Sequence, residues 1–217
     1  MTQGCATCAI VCAMLDIAIL IPAAGASSRM RGRDKLVEEV DGTPLLRRQA
    51  QRAMATGAHV AVTLPAHDHP RAAVLAGLPV QVIEVPDADQ GMSSSIRRGV
   101  GHLPRDIKAL LILPADMPEI ETADIRRLID GFSAMPIPML QQATAEDGTP
   151  GHPVLFPRDC FMSLQTLTGD KGARDILRDN AHRVRFVPLP GRRALTDLDT
   201  PEAWSAWRET QQACLTG

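Results

Sequence analysis

Ile17-Ala-Ile-Leu-Ile-Pro-Ala-Ala-Gly-Ala-Ser-Ser-Arg-Met-Arg-Gly-Arg-Asp-Lys35 is the stretch that decides the fold. An apolar, β-branched run closes at Pro22, small residues follow from Ala23 to Ser28, and Arg29, Arg31, Arg33 and Lys35 then alternate with other residues. It reads as a buried strand opening into an N–H-rich, strongly cationic loop. Such a loop suits a polyphosphate, because small residues let the backbone approach an anion and Arg and Lys add charge-assisted bonds. Taken alone, the stretch also fits an ordinary strand-to-loop connection with solvated basic residues.

Toward the N-terminus, Cys5, Cys8 and Cys12 form a CxxCxxxC cluster with no obvious fourth metal ligand. Residues 1–16 are expected to be an extension, and 17–213 a single domain. The nearly uncharged run from Cys8 to Ala26 lacks a basic flank and holds Asp16, Pro22 and Gly25, which argues against a membrane span or a signal peptide. The remaining cysteines, Cys160 and Cys214, are isolated, as expected of free thiols in a reducing compartment. A soluble, cytoplasmic protein is expected.

Toward the C-terminus the pattern alternates. Thr43-Pro44 reads as a helix start, with Leu46, Ala50, Ala53 and Met54 at helical spacing and Gly57 as the stop. Strands are predicted at 59–64, 79–85, 107–113 and 183–188, with helices at 68–76, 93–100, 122–135 and 173–179 between them. Strands alternating with helices define an α/β fold with a mostly parallel sheet. Pro136–Ala143 and Gly151–Phe156 read as a hairpin-like pair forming a lid beside that sheet. Thr200 and Pro201 open a last helix.

Chemistry-bearing residues fall at the predicted strand ends. Gly91-Met-Ser-Ser-Ser95 leads into a helix and sets three hydroxyls beside free N–H groups, apt for a phosphate or a base edge, or for simple capping. Asp116 follows the most hydrophobic strand, between Pro114 and Pro118, where open α/β sheets bind ligands. It is placed to hold Mg2+ against a nucleotide phosphate, or to cap the next helix. Alternation puts Asp197 and Asp199 on one face, and one of them is placed to complete that metal site. His152, constrained between Gly151 and Pro153, is placed to face a cleft or to serve a structural role, and the Asp170, Lys171, Arg174 cluster suits an anionic substrate or simply a capped surface helix.

The totals narrow the classes. The chain has 217 residues, a net charge of −2, no Tyr and few other aromatics. Broad nucleic-acid binding and base-stacking platforms are therefore not expected, and any phosphate site is a local concentration of charge. No GxGxxG follows the first strand, which counts against a dinucleotide-binding oxidoreductase.

Taken together, Ala23–Met30 with Asp34-Lys35, Gly91-Met-Ser-Ser-Ser, Ala115-Asp-Met-Pro, Gly151-His-Pro-Val, Gly169–Arg174 and Asp197-Leu-Asp-Thr-Pro-Glu resemble the MobA-like nucleotidyltransferases. Within these they are most similar to the MocA-type molybdenum cofactor (molybdopterin) cytidylyltransferases. The resemblance runs from about Ile17 to Trp207. It implies a three-layer α/β/α sandwich with a Rossmann-like sheet of the nucleotide-diphospho-sugar transferase type. It also implies transfer of CMP from CTP to the terminal phosphate of molybdopterin, with release of pyrophosphate and with Mg2+ as cofactor. On this resemblance Ala23, Ala24 and Gly25 wrap the nucleotide together with Gly91, while Arg29 and Lys35 sit on its phosphates. Ser93, Ser94 and Ser95 contact base or ribose, Asp116 and Asp199 hold Mg2+, and His152, Asp170 and Arg174 lie on the acceptor side. Arg29, Lys35 and Asp116 are then the catalytic group, and a recipient molybdoenzyme is an implied partner. The Ala-Ala-Gly form of the loop, in place of Ala-Gly-Gly or Gly-Gly, favours cytosine.

The alternatives are a guanylyl or a sugar- or alditol-phosphate nucleotidyltransferase, and a non-catalytic carrier of the cofactor. Two residues depart from the family pattern: Pro22 replaces an aliphatic residue and removes a strand N–H, and Arg31 replaces a glycine.

Overall fold

The computed structural model describes residues 16–169 and 173–216. Cys5, Cys8, Cys12, Asp170 and Lys171 lie outside the described residues. In chain order the elements are β1 (Ile17–Pro22), a hairpin of β2 (Glu39–Val40) and β3 (Thr43–Pro44), α1 (Leu45–Met54), β4 (His59–Leu64), α2 (Pro70–Val74), β5 (Gln81–Glu84) and α3 (Met92–Gly101). They continue as β6 (Ala109–Ile112), α4 (Thr122–Ser133), β7 (Leu140–Thr144), β8 (Pro150–Pro157), α5 (Phe161–Gln165), α6 (Arg174–Asp179), β9 (Val184–Pro188) and α7 (Pro201–Thr216).

Seven strands form one sheet in the order β5-β4-β1-β6-β8-β7-β9. All neighbours are parallel except where β8 pairs antiparallel with β6 and β7. The apolar run of β1 is explained by burial on both faces. Ile17, Ile19 and Ile21 enter one core with α1 and α4 residues such as Leu46 and Leu128. Ala18 and Leu20 enter the other with Ile96 of α3 and Leu164 of α5. β6 divides in the same way, with Leu111 on one side and Leu110 on the other. The chain builds outward from β1 to β4 and β5, then returns to lay β6 on the opposite side of β1. The order reverses between β1 and β6, and open α/β sheets bind ligands beyond the carboxyl ends of such strands.

Two expectations are corrected. Thr43-Pro44 does not start a helix: it pairs antiparallel with Glu39-Val40, and α1 begins at Leu45. The cause is the intervening Asp41-Gly42, whose φ angles of 50° and 73° make the two-residue turn that suits a hairpin. The β7/β8 pair is not a lid. β8 lies inside the main sheet, with Leu110 opposite Phe156 and Ile112 opposite Val154. Its run Val154–Phe156 is buried because both faces meet core.

The start of β8 also fixes the late acidic segment. Gly151 lies so close to the chain at 194 that a Cβ added there falls 2.0 Å from the Ala194 carbonyl oxygen. The His152 N–H donates to that same oxygen at 2.9 Å. Gly151→Ala is expected to destabilise the fold by about 2–3 kcal/mol, the upper range for forced overpacking, read as a lower urea midpoint at unchanged slope. Among the described residues no helix is long and apolar enough to cross a membrane.

Candidate active site

The loop after β1 is held at its root and along its length. The Ala23 N–H donates to the Thr63 carbonyl at 3.0 Å and meets the Thr63 hydroxyl at 3.2 Å. Ala23 therefore faces β4, so the Pro22 nitrogen faces β6 by the alternation of a strand. The last β6 bond to β1 runs from the Leu113 N–H to the Leu20 carbonyl. Pro22 has no N–H to donate to the next β6 carbonyl, so the β1–β6 ladder stops at that bond, at the point where the loop begins.

Arg31 does carry strain. Ser27 and Arg31 flank the 3-10 turn Ser28–Met30 with φ of 51° and 53°, in the left-handed region that favours glycine. Arg31 also makes a 2.6 Å ion pair with Glu202, but both side chains are exposed, and such pairs contribute little. Arg31→Gly is expected to leave stability unchanged or raise it by up to about 1 kcal/mol, measured by thermal and urea melts.

Lys35 closes the loop onto two carboxylates. Its Nζ lies 2.5 Å from an Asp116 oxygen and 2.5 Å from an Asp199 oxygen. The Arg29 guanidinium reaches the other Asp199 oxygen at 2.7 Å. Asp116 and Asp199 are far apart in sequence, and backbone pairing brings them together: the Leu198 N–H donates to the Asp116 carbonyl at 3.0 Å. The Leu198 side chain is buried with Met30 of the loop, Val40, Leu45 and Trp204. One small apolar cluster therefore holds the cationic loop and the late acidic segment together, with Asp199 turned to Lys35. Thr200 caps α7 as expected, accepting from the Ala203 N–H at 3.2 Å.

Asp116 is not a helix cap. The start of α4 is satisfied instead by Asp124, whose carboxylate accepts from the Glu121 N–H at 3.0 Å. The segment after β6 is pinned by α1: Arg52 donates to the Pro118 and Ile120 carbonyls at 2.7 and 2.6 Å, and the buried Gln49 donates to the Met117 carbonyl. No sequence motif singles out either Gln49 or Arg52 for this role. Gln49, with Leu46, Ala50 and Ala53, lies on the buried face of α1, a position at which a polar residue needs a partner.

The electrostatics follow the geometry. Burial alone would lower the Lys35 pKa, but the Asp116 and Asp199 carboxylates outweigh it and raise it. Burial would raise Asp199, and Lys35 and Arg29 overcome that and lower it. Asp197 goes the other way: crowding by protein raises its pKa, and the charges of Asp116 and Asp199 add to the rise. The site is thus a concentration of negative charge answered by Lys35 and Arg29.

Serines 93–95 are buried at the start of α3, and no side chain caps that helix. The helix begins at Met92, with Gly91 before it at φ 93°. Two of the hydroxyls face Arg97, Ser94 accepting from it at 3.0 Å and Ser93 at 3.3 Å. Arg97 also donates to the Leu167 carbonyl at 2.6 Å, tying α3 to the segment before α6. His152 sits near enough to the acidic group to feel it. Crowding by protein lowers its pKa, Asp116 and Asp197 oppose that, and Arg174 reinforces it. The charges of Asp116, Asp197 and Arg174 all reach His152, while Asp170 lies outside the described residues.

Among the described residues no group of three or more His, Cys, Asp and Glu is arranged as a metal site. The donor set still fits Mg2+, which takes one or two carboxylates plus substrate phosphates and water. Asp116 and Asp199 already converge on one cation, the Lys35 ammonium, so their oxygens face a common point.

A mostly parallel α/β sheet thus carries a cationic loop and paired carboxylates at its switch point, an arrangement suited to an anionic ligand that brings a cation. The chain belongs to the MobA-like NTP transferase domain family, whose model matches residues 19–184. It is 37% identical over 105 residues, 47% of this chain and 50% of the relative, to a probable molybdenum cofactor guanylyltransferase of Natronomonas pharaonis. It is 30% identical over 123 residues, 55% of this chain and 25% of the relative, to the bifunctional protein GlmU of Leifsonia xyli subsp. xyli. The chain thus spans between a quarter and a half of the length of these curated relatives. Among solved structures it is similar to Rv0371c of Mycobacterium tuberculosis H37Rv, with a TM-score of 0.77 and 26% identity, covering 89% of this chain and 97% of that one. A structure of Rv0371c in complex with manganese has a TM-score of 0.72 and 25% identity, covering 88% of this chain and 96% of that one.

Proposed function

We propose that the chain transfers a nucleoside monophosphate from a nucleoside triphosphate to the terminal phosphate of a molybdopterin-type acceptor. CTP is the preferred donor, and pyrophosphate is released. The observation that carries this reading is Lys35, drawn from the cationic loop onto Asp116 and Asp199 at the carboxyl ends of β1 and β6. It sets anion-binding side chains against cation-binding ones in one cleft, as a metal–triphosphate substrate requires.

The chemistry needs little beyond positioning. A terminal phosphate oxygen of the acceptor attacks the α-phosphorus, a new oxygen–phosphorus bond forms, and the bond to the bridging oxygen of the β-phosphate breaks. The nucleophile is already anionic, so no strong general base is called for. Arg29 and Lys35 neutralise charge on the phosphates, and the small residues Ala23, Ala24 and Gly25 let the backbone approach them. The start of α3, with Gly91 and Ser93–Ser95, lies on the base and ribose side. His152 and Arg174, with Asp170, take the acceptor. A divalent cation held by Asp116 and Asp199 would supply charge stabilisation on the triphosphate.

The preference for cytosine rests on the Ala23-Ala24-Gly25 form of the loop, and the molybdopterin acceptor on the overall resemblance. The Natronomonas relative bears the name of a guanylyltransferase, which keeps GTP as the second reading. Pyrophosphate release with a molybdopterin acceptor, compared for CTP and GTP, tests both: turnover with CTP is expected, and turnover with GTP alone would reverse the base assignment.

A further inference from the structure

Arg71 of α2 is among the most buried side chains in the protein, with 2% of its surface exposed. Its guanidinium has five N–H donors, and the structure gives it five acceptors, all between residues 23 and 34. Nε donates to the Asp34 carboxylate at 2.7 Å, and Nη2 donates to the same carboxylate at 2.9 Å and to the Ser27 hydroxyl at 2.9 Å. Nη1 donates to the Ala23 carbonyl at 2.5 Å and to the Gly25 carbonyl at 2.8 Å. The Ser27 hydroxyl in turn meets Asp34 at 3.2 Å, and Asp34 accepts from the Leu36 N–H at 3.0 Å. Among the described residues, every hydrogen bond of the Arg71 guanidinium goes to the loop and none reaches the carboxylates of Asp116 and Asp199.

The consequence lies in the peptide planes. In a trans peptide the carbonyl and the following N–H point in opposite directions. Drawing the Ala23 and Gly25 carbonyls onto the guanidinium therefore turns the Ala24 and Ala26 N–H groups away from it. No hydrogen-bond partner for either N–H is found among the described residues. Two aligned, unpaired N–H groups on a small-residue loop form a concavity for an anion.

We infer that Arg71 is a positioning residue for nucleotide binding: from behind the loop it aims the Ala24 and Ala26 N–H groups at the triphosphate, without touching it. This rests on the proposed nucleotide reading of the loop. It differs from a purely structural role in its kinetic signature. N–H groups that bind the phosphates equally in the ground and transition states affect KM far more than kcat, whereas a partly unfolded enzyme loses kcat at constant KM.

The test uses the full chain with Arg71→Gln and Arg71→Lys, the lysine keeping the charge but offering three donors on one nitrogen. Binding of CTP and of GTP with Mg2+ is measured by calorimetry below the melting temperature of each variant. Inorganic tripolyphosphate is titrated while the Ala24 and Ala26 amide resonances are followed. Arg71→Gln is expected to weaken nucleotide binding at least tenfold and raise KM in parallel, with kcat within threefold of wild type. Arg71→Lys should fall between the two, and the tripolyphosphate shifts at Ala24 and Ala26 should vanish in Arg71→Gln. If Arg71→Gln does not fold, Arg71→Lys decides alone. Wild-type affinity in the folded variant, or a loss of kcat at unchanged KM, would overturn the inference. A wild-type chain that binds no nucleoside triphosphate would overturn the reading of the loop itself, and this inference with it.

Discussion

Asp116→Ala should lower turnover by about a thousandfold or more, the scale of losing a key electrostatic group at a reacting phosphate. The carboxylate is one of two that converge on a single cation, and its side chain is only 20% exposed. What the substitution leaves intact makes the result interpretable. The Asp116 carbonyl still accepts from the Leu198 N–H, so the late acidic segment stays in place. Gln49 and Arg52 still hold the carbonyls from Met117 to Ile120. Lys35 keeps Asp199 as a partner, so no charge is left alone. The cost in stability is therefore expected to stay within about 1 kcal/mol. Pyrophosphate release and a urea melt check these two quantities, and a Mn2+ titration by electron paramagnetic resonance should show weaker metal binding. Full turnover in Asp116→Ala would remove the carboxylate from the reaction.

The sequence is explicit where one local rule acts without competition. β1 and β4 fall where periodicity puts them, and the end of β1 leads into a cationic loop as its composition requires. It misleads where two rules meet. Thr43-Pro44 satisfies a helix-start pattern, yet Asp41-Gly42 just before it is an equally strong hairpin signal, and the hairpin wins. Strand pairing is invisible to periodicity, so the pattern of β8 located a strand but could not place it inside the main sheet. The supporting residues were the hardest to see. Arg71, Arg52 and Arg97 are arginines, which by residue type belong at the surface, and each is instead spent on backbone carbonyls or buried hydroxyls. For Arg71 the one available sign is its place four residues before Leu75, on the face of α2 that enters the core. Residue spacing alone does not choose between Asp197 and Asp199. Both share a face, and only the anchoring of Leu198 beside Met30 turns Asp199 to Lys35.

The same geometry gives Lys35→Met two opposed effects. Lys35 occupies the point at which the Asp116 and Asp199 oxygens converge, and those carboxylates raise its pKa, so it is charged throughout the neutral range. A divalent cation seeking those two oxygens competes with an ammonium already there. At an effective dielectric near 20, unit charges about 4 Å apart attract by about 4 kcal/mol, so the competition is substantial even after rehydration of the lysine is counted. Removing the ammonium should therefore tighten Mn2+ binding in the absence of nucleotide by about tenfold, a gain near 1.4 kcal/mol. Turnover should fall by about a hundredfold or more, because the triphosphate loses its lysine. Lys35→Arg, which keeps the charge, should leave metal affinity near that of wild type. The pairing of tighter metal binding with lost activity is the informative result, since damage to the fold would weaken both. If Lys35→Met binds Mn2+ no better than wild type, the lysine is not holding the place of the metal, and its contact with Asp116 and Asp199 is a surface ion pair with no part in how the site is loaded.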